Sequence, residues 1–195
     1  MTRFCDIVFS LFGLILLSPL FLIVALWIVI DNPGPVFYRQ QRVGRDNKDF
    51  GLLKFRSMRV GADKMSLITI GDRDPRVTHA GYYIRKFKLD ELPQLWNVLI
   101  GDMSLVGPRP EVRRYVDLYT EEQRKVLSVR PGITDYASIE YINENKLLAQ
   151  AADPDKTYIE EIMPVKITLN MRYINDRTLC QYFKIIFLTI VKIIR

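Results

Sequence analysis

Histidine occurs once in this sequence, as His79, and cysteine twice, as Cys5 and Cys180. A lone histidine cannot build a histidine-based zinc site or share a triad with others of its kind, so His79 reads as a loop residue with no special task. The cysteines both flank apolar runs, lack metal-ligand spacing and offer no disulfide framework, which fits a reducing compartment. Internal repeats, low-complexity stretches and recognised nucleic-acid-binding motifs are also missing, so no nucleic-acid partner is expected. Charge is missing too from one long stretch, Ile7 to Ile30.

What remains is ample for folding. The 195 residues are 49% apolar and 11% aromatic, enough for one compact domain with a real core plus a membrane segment, and too apolar for disorder. Lys and Arg outnumber Asp and Glu 28 to 22, a net charge of +6. That excess suits nucleic acid, anionic lipid and phosphorylated small molecules equally and selects none of them.

As a helix, the uncharged run would span roughly 36 Å, the thickness of a bilayer's hydrocarbon core. A signal peptide fits less well: the run is too long, Arg3 is its only basic flank, and no small-residue cleavage site follows. Ser18-Pro19 falls at its midpoint, where proline removes a backbone donor and clashes with the preceding turn. Two outcomes are open: a kinked helix that crosses, the commoner structure, or a helix that turns back and leaves on its entry side. The hydroxyl of Ser18 can satisfy one backbone group at the break. Arg39, Arg42, Arg45, Lys48, Lys54, Arg56 and Arg59 follow the run, so the positive-inside rule puts that side in the cytoplasm. Asp6, beside the entry, reads as a helix N-terminal acid, with a pair to Arg3 as the weaker alternative.

Beyond the turn cluster Asn32-Pro33-Gly34-Pro35, Val36 to Tyr38 and Phe50 to Phe55 read as short strands joined by the polar turn Gly44 to Lys48. Arg59 to His79 reads as a loop and Tyr82 to Lys88 as a short helix. A helix is expected from Pro93 to Ile100, with Asp90 near its N-cap and Leu92, Leu95, Trp96 and Leu99 as its core face. Further helices are expected over Glu111 to Leu127, Ala137 to Ala152 and Asp155 to Ile174, the last despite Pro164. Cys180 to Arg195 alternates apolar and basic residues, which suits an interfacial helix, with a core helix as the alternative.

The densest reactive cluster runs from Arg85-Lys86-Phe87-Lys88 through Leu89-Asp90-Glu91-Leu92-Pro93-Gln94 and resumes at Gly107-Pro108-Arg109-Pro110. Two adjacent acids among cations have a bland reading, helix-start acids with surface ion pairs. They also have a sharp one, a phosphoryl-transfer site in which a carboxylate attacks phosphorus while a divalent ion and arginines neutralise charge. Spacing alone does not choose between them.

The run Leu89 to Pro110 closely resembles the signature of the bacterial sugar transferases, the monotopic phosphoglycosyl transferases. Lys54-Phe55-Arg56-Ser57-Met58, Arg130-Pro131-Gly132-Ile133-Thr134 and Ser18-Pro19 within an apolar run match further blocks in the expected order, so the resemblance covers the chain to about residue 135. It implies transfer of a phosphosugar from a UDP-sugar to a polyprenyl (undecaprenyl) phosphate, with release of UMP and a covalent enzyme intermediate. Asp90 would be the nucleophile and a Mg²⁺ ligand, and Glu91 would assist proton removal from the acceptor. Arg85 and Arg109 would hold phosphates or nucleotide, with Lys54 a supporting cation.

The resemblance also implies a re-entrant helix broken at Ser18 and Pro19, displacing the crossing helix that composition favours. The expected fold is α/β and mostly helical: a re-entrant membrane helix over 1–31, a cytosolic catalytic domain over 32–179 and an amphipathic interfacial helix over 180–195. Membrane lipid is then a partner, the inner membrane the location, and the cytoplasmic face the side of the active site; self-association stays open. The large multi-span extension and the fused second enzyme of longer members are not in this sequence. After Thr134 the chain departs from the common pattern, with Asp135-Tyr136-Ala137-Ser138-Ile139-Glu140-Tyr141, so sugar selectivity is expected between there and Asn175. The competing reading is a catalytically inactive membrane scaffold with a structural acid pair.

Overall fold

A computed structural model describes residues 1–62 and 74–194. The apolar run forms two helices, α1 (Thr2–Leu16) and α2 (Ser18–Asp31), bent by 60° at the break. Pro19 has no N–H to offer the carbonyl of Ile15, and the Ser18 hydroxyl donates to that carbonyl at 2.8 Å. No single helix among the described residues is long and apolar enough to cross a membrane; the bent pair together has the length and composition. Its outer faces stay bare, with Phe4, Phe12, Ile15, Leu22, Ile23 and Ile30 exposed.

α2 ends docked on the body of the protein. Val24 and Ile28 bury themselves against Phe55, Ala80 and Ile84, and Trp27 stacks on Tyr83. Arg56, itself buried, donates to the carbonyls of Asn32 and Pro33 and so fastens the turn cluster that follows α2. β1 (Phe37–Val43) and β2 (Asp49–Phe55) form an antiparallel hairpin in the register Phe37 to Phe55 and Val43 to Asp49. β1 is therefore longer than the three residues expected. The turn between them places Asp46 and Asn47 at positive φ, a region these two residue types tolerate.

α3 (His79–Lys86) starts earlier than expected because Thr78 caps it, accepting from the Gly81 N–H. His79 is thus the first residue of a helix rather than part of a loop; the rest of that expected loop falls largely on residues 63–73, outside the described residues. Asp90 does not cap the next helix either. Asp90 and Glu91 sit in a separate 3-10 turn, Leu89–Glu91, entered through Lys88 at φ 56°, and α4 spans Gln94–Ile100.

The expected core face of α4 is also corrected. Gln94, Asn97 and Val98 are the buried residues, whereas Trp96 is 49% exposed. The reason is Asn97, whose amide accepts from Leu53 N–H and donates to the Gly51 carbonyl, so that it completes the free edge of β2. The Leu95 side of α4 faces α1 instead, where Gly13 leaves room for it.

β3 (Ser104–Val106) and β4 (Gly132–Thr134) form a short parallel pair that the pattern of residues did not announce. Their ends pass so closely that a Cβ on Gly132 would sit 2.1 Å from the Gly107 nitrogen. Both motif glycines are therefore fixed by packing. The expected helix Glu111 to Leu127 is split into α5 (Arg113–Val116) and a 3-10 turn, Gln123–Ser128. Thr120 and Gln123 exchange hydrogen bonds between side chain and backbone N–H, a reciprocal cap that restarts the chain.

The next expected helix is divided into α6 (Tyr136–Glu140), capped by Asp135, and α7 (Glu144–Gln150). α8 (Pro154–Thr157) runs on through a π-helical turn, Tyr158–Ile162, into α9 (Met163–Asn175). Pro164 is accommodated there because the wider turn comes first and leaves the proline in the first turn of α9. α10 (Leu179–Ile194) buries Tyr182 and Ile185 and exposes Phe183, Phe187 and Ile190, so it is both core helix and amphipathic surface helix.

Asp6 carries neither of its expected roles. Arg3 donates instead to the carbonyls of Val98 and Leu99 at the end of α4. The Asp6 carboxylate is 2% exposed, and one of its oxygens accepts from the Ser104 hydroxyl, the Leu105 N–H and the Tyr182 hydroxyl at 2.8–2.9 Å. One side chain thereby ties the first turns of α1 to β3 and α10.

Candidate active site

Three elements converge on the acid pair. Lys54 projects from the end of β2, Glu91 from the 3-10 turn, and Arg109 from the segment after β3. Arg109 grips Glu91 with both terminal nitrogens, through a short contact to Oε1 and one of 3.3 Å to Oε2. Lys54 Nζ lies 3.9 Å from the same Oε1. The glutamate is thus a paired anion, bidentate on the arginine side.

Arg109 is itself held from behind. Its N–H donates to Asp135 at 3.0 Å, and the other Asp135 oxygen caps α6, so a fully buried carboxylate fixes the arginine's backbone. A second guanidinium underlies the cluster. Arg42 donates to the Pro110 carbonyl at 3.1 Å and to Gln40, while its Nε is buried with no partner among the described residues. In the hairpin register Tyr38 faces Lys54 and Arg42 faces Phe50, so Arg42 and Lys54 share one face of the sheet.

The electrostatics separate the two acids. Burial raises the Asp90 carboxyl above its ordinary range, repulsion from Glu91 adds to this, and Lys54, Arg85 and Lys88 oppose it. For Glu91, burial pushes upward, but Arg109 and Lys54 together outweigh it and hold the pKa at about 2. Burial brings Lys54 down to about 8 although Glu91 resists. The pull of Glu91 holds Arg109 above the ordinary arginine range. Asp90, in contrast, makes no hydrogen bond or ion pair among the described residues, and it is only half-buried.

Of the residues expected at the site, Lys54, Glu91 and Arg109 are brought into contact, and Asp90 stands beside them. Arg85, in the last turn of α3, acts on Asp90 through its charge without contacting either acid. Ser18 and Pro19 lie away from the site, at the break between α1 and α2. Sequence reading passed over Arg42 and Asp135. Strand alternation with Lys54 points to the first, and an aspartate three residues before Ser138, a cap pattern, to the second.

No group of three or more His, Cys, Asp or Glu side chains comes together among the described residues, so these form no full metal cage by themselves. Mg²⁺ rarely needs one, since it keeps waters and binds one or two carboxylates together with substrate phosphate. Asp90, unbonded and accessible, is the donor that fits that mode. The cluster as a whole offers one free carboxylate beside a set of cations, the arrangement that attack on an anionic phosphorus requires.

Comparison with known proteins bears on the family rather than on the roles of these residues. The family model for bacterial sugar transferases matches residues 1–195. The chain is 41% identical over 193 residues to the UDP-N-acetylgalactosamine-undecaprenyl-phosphate N-acetylgalactosaminephosphotransferase of Aeromonas hydrophila, covering 96% of this chain and 42% of that protein. It is 36% identical over 195 residues to the UDP-glucose:undecaprenyl-phosphate glucose-1-phosphate transferase of Escherichia coli K12, covering 96% and 39%. A protein of the same description from Caulobacter vibrioides is 35% identical over 191 residues, covering 96% and 67%. The chain thus spans about two fifths of the length of the first two relatives.

Proposed function

This chain belongs to the bacterial sugar transferase family, and we propose that it moves a sugar-1-phosphate from a UDP-sugar to a polyprenyl phosphate. The observation that carries the reading is the inequality of the acids: Asp90 is free beside Lys54, while Glu91 is already neutralised by Arg109. A carboxylate already in a bidentate pair is a poor nucleophile, so Asp90 is the one available to react.

In the first step an Asp90 oxygen bonds to the β-phosphorus of the UDP-sugar, the bond from that phosphorus to the bridging oxygen breaks, and UMP leaves with the electron pair. In the second, a phosphate oxygen of the polyprenyl phosphate attacks the same phosphorus and Asp90 leaves as a carboxylate. The product is a polyprenyl diphosphate sugar. Mg²⁺, held by Asp90 together with substrate oxygens, would neutralise charge on the diphosphate. Arg85 and Arg109 hold the phosphates, with Lys54 in support. Glu91 assists removal of the acceptor's proton, and the incoming diphosphate loosens its ion pairs by competing for Arg109 and Lys54.

The bent helix pair supports a re-entrant membrane anchor, with the exposed apolar faces of α1 and α2 in lipid and the catalytic body on the cytoplasmic side. The test is release of UMP from a panel including UDP-glucose and UDP-N-acetylgalactosamine, with undecaprenyl phosphate and Mg²⁺. Asp90→Asn should abolish turnover while leaving the fold intact. Turnover retained in that variant would rule out the covalent step.

A further inference from the structure

Beside β3, a second cleft gathers positive charge. Arg45, Arg130 and Arg177 line it together with the hydroxyl-bearing Thr2, Ser104 and Ser128. Its volume is about 60 Å³, room for a small hydrated anion. Arg130 reaches into it while its Nε donates to the Gly101 carbonyl at 2.8 Å. Among the described residues neither Arg130 nor Arg177 has a carboxylate in ion-pair range, and Arg45 has only the exposed Asp46. Asp6 lines the cleft as well, but one of its oxygens already satisfies three donors. Arg3 adds further positive charge beside Arg130, and the mutual repulsion of these arginines lowers Arg130 after burial has done so first. Three lining arginines beside the single lining carboxylate, Asp6, whose attraction for Arg130 opposes their repulsion, leave an excess of positive charge that an anion from outside stabilises.

The position of the cleft limits what that anion is. Thr2 opens α1, and Arg177 lies two residues before α10. Those two helices carry exposed apolar side chains, and they touch through Phe9 edge-on to Phe183. The cleft therefore opens where two apolar faces begin, the depth at which lipid phosphates lie if those faces enter the membrane. We propose that Arg45, Arg130 and Arg177 form a binding site for a phosphate group, supplied by the headgroup of an anionic membrane lipid. The site shares no lining residue with the acid cluster, so it holds or fails independently of the transferase reading.

The test uses the purified full chain in neutral detergent, with native mass spectrometry and thermal shift reading the addition of phosphatidylglycerol, phosphatidylcholine or inorganic phosphate. The double variant Arg45→Gln/Arg177→Gln changes only surface-accessible side chains and leaves the Arg130–Gly101 contact in place. Phosphatidylglycerol should be retained and should raise the melting temperature of the native chain, phosphatidylcholine should not, and the double variant should weaken the binding by about tenfold or more. Inorganic phosphate that displaces the lipid supports recognition of its phosphate. Inorganic phosphate that binds where the lipid does not, again with loss in the double variant, keeps the site but makes its source soluble. Equal retention of both lipids, no binding of either phosphate source, or unchanged binding in the double variant would overturn the proposal.

Discussion

Replacing Asp6 by alanine should cost more stability than any other single truncation in α1. The carboxylate is buried, and the change strands three donors at once: the Leu105 N–H, the Ser104 hydroxyl and the Tyr182 hydroxyl. A buried donor left without an acceptor costs about 1–3 kcal/mol. The two hydroxyls can rotate in search of another partner, but the backbone N–H cannot. A loss of about 3–5 kcal/mol follows, a large part of the 5–15 kcal/mol of a typical domain. Asp6→Asn keeps an acceptor oxygen and should cost only about 1–2 kcal/mol, and Tyr182→Phe, which removes one donor with its bond, about 1 kcal/mol. In the double variant Asp6→Ala/Tyr182→Phe the losses should fall short of additive, because the tyrosine hydroxyl is no longer there to be stranded.

Denaturant unfolding in neutral detergent measures these differences, and the chain supplies a second, local readout. Cys5 is half-buried beside Tyr182, whereas Cys180 is exposed. Thiol labelling of Cys180 should be fast in every variant and serve as the reference. Labelling of Cys5 should accelerate in Asp6→Ala as α1 separates from α10. An Asp6→Ala protein within 1 kcal/mol of the native chain, with Cys5 labelling unchanged, would show that the three hydrogen bonds do not tie these elements together.

Pro19→Ala restores the N–H that an unbroken helix would direct at Ile15, so the 60° bend should relax toward a crossing helix. With Thr2→Cys as the reporter in intact cells, a membrane-impermeant thiol reagent should label only the Pro19→Ala form; equal labelling of both would refute the re-entrant path. The Glu91 pKa of about 2, below the 4.5 of a free glutamate, contributes about 3 kcal/mol of stability. That contribution is fully present above pH 4.5 and is lost as pH falls from there through 2, so Glu91→Gln should flatten the acid limb of the unfolding curve. The Lys54 pKa also falls, from 10.5 to about 8, but for a cation the consequence is opposite: its protonated form is penalised in the fold, and that penalty fades as pH rises from 8 to 10.5. Activity that needs the lysine charged should decline as pH rises through about 8, and Lys54→Arg should move that decline upward.

Much of the fold is legible where one local rule governs. The helix break at Ser18-Pro19, the β hairpin and the amphipathic α10 all follow from proline chemistry or from residue period. Misreadings arise where a polar side chain is used for packing. Asn97 turns α4 over because its amide serves the edge of β2, which no count of apolar positions registers. The split of the helix after Glu111 was in principle visible, since Thr120 and Gln123 have the spacing of a capping box. The pairing of β3 with β4 was not, because strands of three residues have no readable period and their contact is distant along the chain.

The acid pair shows why neighbours in sequence can have unlike chemistry. As helix-start residues Asp90 and Glu91 would share one dipole and one solvent shell, and nothing would distinguish them. The 3-10 turn removes that equivalence: it gives Glu91 to Arg109 and Lys54 and leaves Asp90 without a partner among the described residues. The resulting charges are opposite in consequence, since the glutamate is stabilised as an anion and the aspartate is made less comfortable as one. An anion held without a partner at a half-buried position is more reactive toward an incoming electrophile and gains more from an arriving cation. The inequality depends on residues outside the pair, above all on Asp135, which fixes the backbone of Arg109. A change there should blur the distinction between the two acids while touching neither of them.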